Sequence, residues 1–292
     1  MLFSGKDGKE CRLCGEWKKY SEFSKRKEAK DGYRTECKNC RSSRNGEYNR
    51  KIKQKSTMTT LIIPDLQAPF HHEDALHFLK SVRDEFLPDE VVCIGDEFDF
   101  YWLSDYGTDP DFDNPEGEYY KARAFWQSLF KEFPKGVGVH SNHVKGRLDR
   151  KRKSAKLPTH FLRSLEEIIG APEGWKWVDE YITQGTVCRH GHADGKSAKV
   201  NLEKINHFNL FTDAKPYNLC LGHHHTLIGS TDVPMGQHVA WMAFSGSLID
   251  RKAHAFRYTN KPPMLGCGMI RDGRFFPVIM KLDKNDRWVG EL

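Results

Sequence analysis

No apolar run in this 292-residue chain approaches the roughly 18–20 residues of a membrane span. The N-terminus also lacks the apolar core of a secretory leader, so a cytoplasmic protein is the expectation. There are no sequence repeats. Disulfides are not expected either. Of the eight cysteines, four are scattered, and Cys93, Cys188 and Cys220 lie in apolar, strand-like runs that read as buried positions. A reducing compartment suits that usage. The chain is 38% hydrophobic and 29% charged, which allows one sizeable α/β domain plus something small, or two domains.

Positive charge is in short supply over most of the chain. Residues 1–58 hold 17 Lys and Arg against 8 Asp and Glu, whereas residues 59–292 hold 29 against 32. The net charge of +6 therefore originates in the N-terminal piece, which suggests a polyanionic partner for it.

The other four cysteines sit in that piece, as Cys11-Arg12-Leu13-Cys14 and Cys37-Lys38-Asn39-Cys40. Thiolates two residues apart on a tight turn grip one face of a tetrahedral Zn²⁺, and a second pair completes the site. Free or redox-active thiols are the alternative. A segment this short and polar buries too little core to fold unaided, so one structural Zn²⁺ would supply most of its folding energy. Trp17, Tyr20, Phe23 and Tyr33 alternate with Lys18, Lys19, Lys25, Arg26, Lys27, Lys30 and Arg34, a mixture suited to phosphate contact and base stacking. It suits a small aromatic core with a charged rim as well. The segment resembles the zinc modules of phage proteins and HNH-type endonucleases, without the His-His pair of a nuclease, which implies a binding module. The expected division is a zinc module over 1–45, a basic linker over 46–58 and a larger domain over 59–292.

In the larger domain, apolar runs end repeatedly in polar residues. Thr59–Pro64 empties into Asp65-Leu66-Gln67, and Val91–Ile94 into Gly95-Asp96-Glu97-Phe98-Asp99. Gly136–His140 leads to Ser141-Asn142-His143, Thr186–Arg189 to His190-Gly191-His192, and Tyr217–Leu221 to Gly222-His223-His224-His225. Helical spacing predicts helices over Glu73–Phe86 and Tyr119–Phe133, with others over Pro158–Gly170 and about Ala198–Phe208. Segments from Val239 to Leu282 read as strands closing a second sheet. Alternating strands and helices imply a sheet with crossover connections, whose ligand sites tend to lie at strand ends.

These blocks, in this order, resemble the calcineurin-like metallophosphoesterases, whose pattern is Asp-x-His, Gly-Asp-x-x-Asp, Gly-Asn-His-Asp/Glu, His-Gly-His and Gly-His-x-His. The resemblance covers about residues 59–292. It implies an α/β fold, a four-layer sandwich of two mixed sheets flanked by helices, with a dinuclear metal site. By position, Asp65, Gln67, Asp96 and His225 would hold one metal, and Asp96, Asn142, His190 and His223 the other, Asp96 bridging. Two divalent ions there, Mn²⁺ first among Mn²⁺, Mg²⁺, Fe²⁺ and Zn²⁺, would activate a shared water for attack on phosphorus. His143 would face the leaving oxygen as general acid or stabilise the charge building there, while Asp99 and His192 would orient ligands. His71 and His72 carry no assigned role.

The chain departs from the pattern at Gln67, where the family has His, and at Ser141 and Val144, where it has Gly and an acid. An amide oxygen in place of an imidazole should weaken the first metal site and favour harder ions.

The basic run that follows His143, with Arg147 and Arg150 as the candidate substrate contacts, could guide a phosphate backbone. Phe98, Phe100, Tyr101 and Trp102 could stack a base or simply belong to the core. The expectation is a metal-dependent phosphodiesterase or nuclease, acting on nucleic acid, DNA favoured, in a bacterial cytoplasm if phage-encoded. A phosphomonoesterase and an inactive nucleic-acid-binding protein are the alternatives.

Overall fold

The computed structural model describes residues 7–26, 29–42, 57–104, 114–159, 162–192, 198–207, 215–253 and 261–292. The chain forms two compact units, Met1–Ser56 and Thr57–Leu292. Most of the expected basic linker lies outside the described residues, as do Lys27 and Phe208.

In the first unit, β1 (Gly8–Glu10) pairs antiparallel with β2 (Trp17–Lys19), and β3 (Phe23–Lys25) with β4 (Tyr33–Cys37). Cys11 follows β1 and Cys37 ends β4, so each hairpin delivers one cysteine pair. Gly15, at φ 70, closes the first turn by donating its N–H to the Cys11 carbonyl at 2.8 Å. Cys11, Phe23 and Cys37 make a minimal core. Such a core calls for a metal.

In the second unit, β5 (Thr59–Ile63), β6 (Glu90–Cys93), β7 (Gly136–Val139) and β8 (Trp175–Val178) run parallel. Between them come α1 (Ala75–Phe86) and α2 (Pro115–Glu132), the crossovers that parallel strands require. After β7 come the short α3 (Arg147–Ser154) and α4 (Leu165–Ile169). A second sheet has β9 (Tyr181–Thr183), β10 (Thr186–Arg189) and β11 (Asn218–Leu221), with α5 (Ala198–Ile205) between the last two. Its order is completed by β12 (Ile228–Met235) and β13 (His238–Ser245), giving β12-β13-β11-β10-β9.

Period-two alternation separates the layers. Leu61 and Ile63 face Phe78, Leu79, Trp126 and Leu129 of α1 and α2, whereas Ile62 between them faces the other way. Ile62, Val92 and Ile94 meet Cys188, Cys220 and Ala243 of the second sheet. Val187, Leu219 and Leu221 on that sheet's far side pack on Leu202 of α5. The result is helices, sheet, sheet, helix: the expected four-layer sandwich. Cys93, Cys188, Cys220 and Cys267 are all buried.

Two sequence expectations need correction. Of the C-terminal strands, only Val239–Phe244 joins the second sheet, inside β13. The next two, β14 (Gly266–Arg271) and β15 (Arg274–Ile279), extend the first, with Gly268 opposite Ile62. A strand's own residues do not name its partner, and Gly268, which leaves space for the Phe275 ring, suits it to this position. Of the helix expected over Pro158–Gly170, the described residues form only α4 as α-helix. Ser164 starts it through a capping box with Glu167, and Gly170 at φ 73 ends it.

Candidate metal centre

Parallel pairing brings the carboxyl ends of β5, β6 and β7 to one edge of the first sheet, and those of β10 and β11 to one edge of the second. The polar residues that end these five strands meet there. His225 Nε2 lies 2.9 Å from Asp65 Oδ2 and 4.0 Å from Asp96 Oδ2. His190 Nε2 lies 2.9 Å from Asn142 Oδ1 and 3.3 Å from Asp96 Oδ1. Asp65, Asp96 and His225 form one group able to hold a cation, and Asp96, His190 and His223 form a second. Asp96 belongs to both.

The backbone is bent to make this possible. Gln67, Asp96 and His223 have φ of 44°, 51° and 63°, a region costing non-glycine residues on the order of 1–3 kcal/mol each. Glycines clear the space between these side chains: a Cβ on Gly95 would lie 2.7 Å from His190 Nδ1, and one on Gly222 would lie 2.7 Å from Asp65 Oδ1. Asn142 and His143 occupy a wide, π-type turn directly after β7, Gly146 donating back to the Ser141 carbonyl at 3.0 Å.

The donor set fits divalent cations. Asp65 Oδ1, Gln67 Oε1 and His223 Nδ1 are buried acceptor atoms without a hydrogen-bond partner among the described residues. Such orphans are costly unless something positive reaches them. His190 donates Nδ1–H to the Ile94 carbonyl at 2.9 Å, which turns Nε2 toward the oxygens of Asp96 and Asn142. Burial disfavours charge on this ring, but Asp96 and Asp65 outweigh it and lift its pKa to about 9. Asp96 is likewise opposed by burial and held well below the usual carboxylate range by His143, His190 and His225. His223 is pushed down to about 4 by burial and by the charge of His190.

His143 borders this cluster. Its Nδ1 lies 2.8 Å from Asp99 Oδ1, and its Nε2 lies 3.3 Å from Gln67 Nε2 and 3.9 Å from Asp96 Oδ2. Burial lowers its pKa, but Asp96 and Asp99 prevail and raise it. Arg147 donates to the Asp99 and Phe100 carbonyls at 2.5 and 3.0 Å, with its other terminal nitrogen 3.5 Å from His143 Nε2.

The other named residues fall in different places. His192 is exposed, its ring 5.4 Å from that of His190, and Arg150 lines a neighbouring groove. Phe98 and Phe100 are core, whereas Trp102 keeps 39% of its surface exposed. His224 packs edge-on against Phe244, His71 stacks on Phe125, and His72 bonds the Asp286 carbonyl. Glu97 has no place in the sequence pattern. It is fully buried beside Asp96, accepts from Trp177 Nε1 at 2.5 Å, and has its pKa raised by burial to about 7. Its position in the run after β6 was the available signal.

In the N-terminal unit, Cys11, Cys14, Cys37 and Cys40 form a third group able to hold a metal. Backbone N–H groups of Cys14 and Cys37 bring the Cys11 thiol down to about 6, favouring the thiolate.

No family model matches this chain. No curated protein matches it either. Among solved structures, the nuclease MPE of Pseudomonas putida aligns with a TM-score of 0.32 and 10% identity, over 75% of this chain and 86% of that one. The chemistry is therefore read from the site. Among the described residues no helix is long and apolar enough to cross a membrane.

Proposed function

We propose that this chain is a metal-dependent phosphodiesterase acting on nucleic acid, with the cysteine-rich unit as a nucleic-acid-binding module built around Zn²⁺. The observation that carries the reading is the pair of ligand groups sharing Asp96. On this reading Asp65, Gln67, Asp96 and His225 hold one divalent cation, and Asp96, Asn142, His190 and His223 the other. When bound, such ions supply an acidified water and neutralise phosphoryl charge.

The remaining work falls to side chains. His143, its Nδ1 tied to Asp99, turns Nε2 toward the ligand cluster, where it can give a proton to a departing alkoxide. Asp99 fixes the ring and favours its charged form. Arg147 offers a guanidinium beside His143 to a non-bridging phosphate oxygen. Arg147 and Arg150 of α3 and aromatic residues of the N-terminal unit favour a polymeric, base-bearing anion over a small phosphomonoester.

The test is hydrolysis of bis-p-nitrophenyl phosphate and of labelled DNA by the full chain, stripped of metal and then given Mn²⁺, beside Asp96→Asn. Metal-dependent diester cleavage lost in the variant is expected. Hydrolysis of p-nitrophenyl phosphate alone would instead mark a monoesterase.

A further inference from the structure

A groove of about 600 Å³ opens beside the candidate metal centre, with Asn142 and His190 in its wall. That volume lies in the range of small-ligand sites and suits one or two nucleotides. One side of the groove is a face of α3 and the turn before it, where Gly146, Arg150 and Lys153 recur at helical spacing. A Cβ on Gly146 would lie 3.6 Å from an Arg150 guanidinium nitrogen and 3.6 Å from Asn142 Cβ. Arg150 is thus folded back toward a residue of the centre, and Lys153 stands one turn further out. The lining also includes Arg189, whose guanidinium grips Glu180 at 2.6 and 2.8 Å. Lys145 lies 3.9 Å from Asp149 of α3 and 3.8 Å from Asp179, which follows β8. The acidic side chains of the groove are therefore each close to a cation.

We infer that this groove is the subsite for the nucleotides flanking the scissile phosphodiester of a single strand, with Arg150 and Lys153 contacting successive phosphates. The inference rests on the phosphodiesterase reading. Two cations one helical turn apart, leading away from the centre, match a chain of phosphates and have no task on an isolated phosphoryl group. The substrate is single-stranded because a groove of about 600 Å³ has room for one strand's nucleotides and not for a duplex.

The experiment compares Arg150→Ala/Lys153→Ala with the wild-type full chain on a single-stranded oligonucleotide, the same sequence as duplex, and bis-p-nitrophenyl phosphate, which has no flanking nucleotide. The ratio of oligonucleotide to bis-p-nitrophenyl phosphate kcat/KM should fall at least tenfold, chiefly through KM. Wild-type enzyme should prefer the single strand. Lys151→Ala, which removes the same type of charge outside the groove, should keep the wild-type ratio. An unaltered ratio in the double variant, an equal fall with Lys151→Ala, or a preference for duplex would overturn the subsite. Fluorescence anisotropy of a labelled tetranucleotide separates the two readings. Binding weakened in the double variant, with no hydrolysis by wild type, would keep the groove and sink the phosphodiesterase. Unchanged binding would sink the groove.

Discussion

Asp99 holds His143 in place: its carboxylate lies 2.8 Å from His143 Nδ1, and its carbonyl accepts from Arg147 at 2.5 Å. One residue thus fixes both the ring and the guanidinium beside it. Replacing Asp99 with Asn should lower kcat by roughly 10²-fold, within the range of general acid–base contributions. The loss should be larger for a nucleoside leaving group than for p-nitrophenolate, which departs without a proton. Equal losses on both leaving groups would argue against a proton donor at His143.

Gln67 offers a buried amide oxygen with no hydrogen-bond partner among the described residues, where an imidazole would be a stronger metal donor. Gln67→His should tighten the weaker of two metal-binding steps at least tenfold, measured by calorimetry on metal-stripped protein. No change in either step would remove Gln67 from the ligand set.

Space within the Asp and His cluster is as specific as the side chains that form it. A methyl group on Gly222 would collide with Asp65 Oδ1, and one on Gly95 with His190 and Ser141. Gly95→Ala also forces φ 107 on a residue with a Cβ. Each substitution should abolish metal-dependent hydrolysis and lower Tm by several degrees. Wild-type metal content in either would contradict the packing described here.

Much of this architecture is readable in the sequence because β5, β6, β7, β10 and β11 are short apolar runs that end in polar residues. Alternation along Leu61, Ile62 and Ile63 already contains the two faces of the first sheet. The partners of β14 and β15 are not readable, since pairing with β5 spans about two hundred residues and depends on packing at Gly268 and Phe275. The groove was equally hidden. Its sides come from α3 and from the residues around Glu180 and Arg189, which only the folded sheets bring together.

Glu118, 2% exposed on α2, accepts the Tyr101 N–H at 2.8 Å, and burial raises its pKa from 4.5 to about 7. The folded state therefore binds its proton more tightly than the unfolded state. Its contribution is fully present below pH 4.5 and is lost as pH rises through about 7. Glu118→Gln keeps the acceptor and removes the ionisation, so it should stabilise the protein at pH 8 relative to pH 4, by up to about 3 kcal/mol. Urea unfolding at the two pH values measures this; a difference of zero would contradict the burial argument.

Asp74 behaves in the opposite sense. Arg287 holds it bidentately at 2.6 and 2.8 Å and brings its pKa down to about 2. Its contribution is present above the usual carboxylate range and is lost as pH falls through about 2. Asp74→Asn should therefore destabilise the protein at pH 6 and much less at pH 2, as read from thermal melts.

The central claim is that Asp96 serves two metal ions at once in a phosphodiesterase. The decisive measurement is hydrolysis of bis-p-nitrophenyl phosphate as Mn²⁺ is added to protein first stripped of metal and then given one equivalent of Zn²⁺ for the cysteine cluster. The expected activity saturates at two equivalents of Mn²⁺ and vanishes in Asp96→Asn. Saturation at one equivalent, or no hydrolysis at any occupancy, would contradict it.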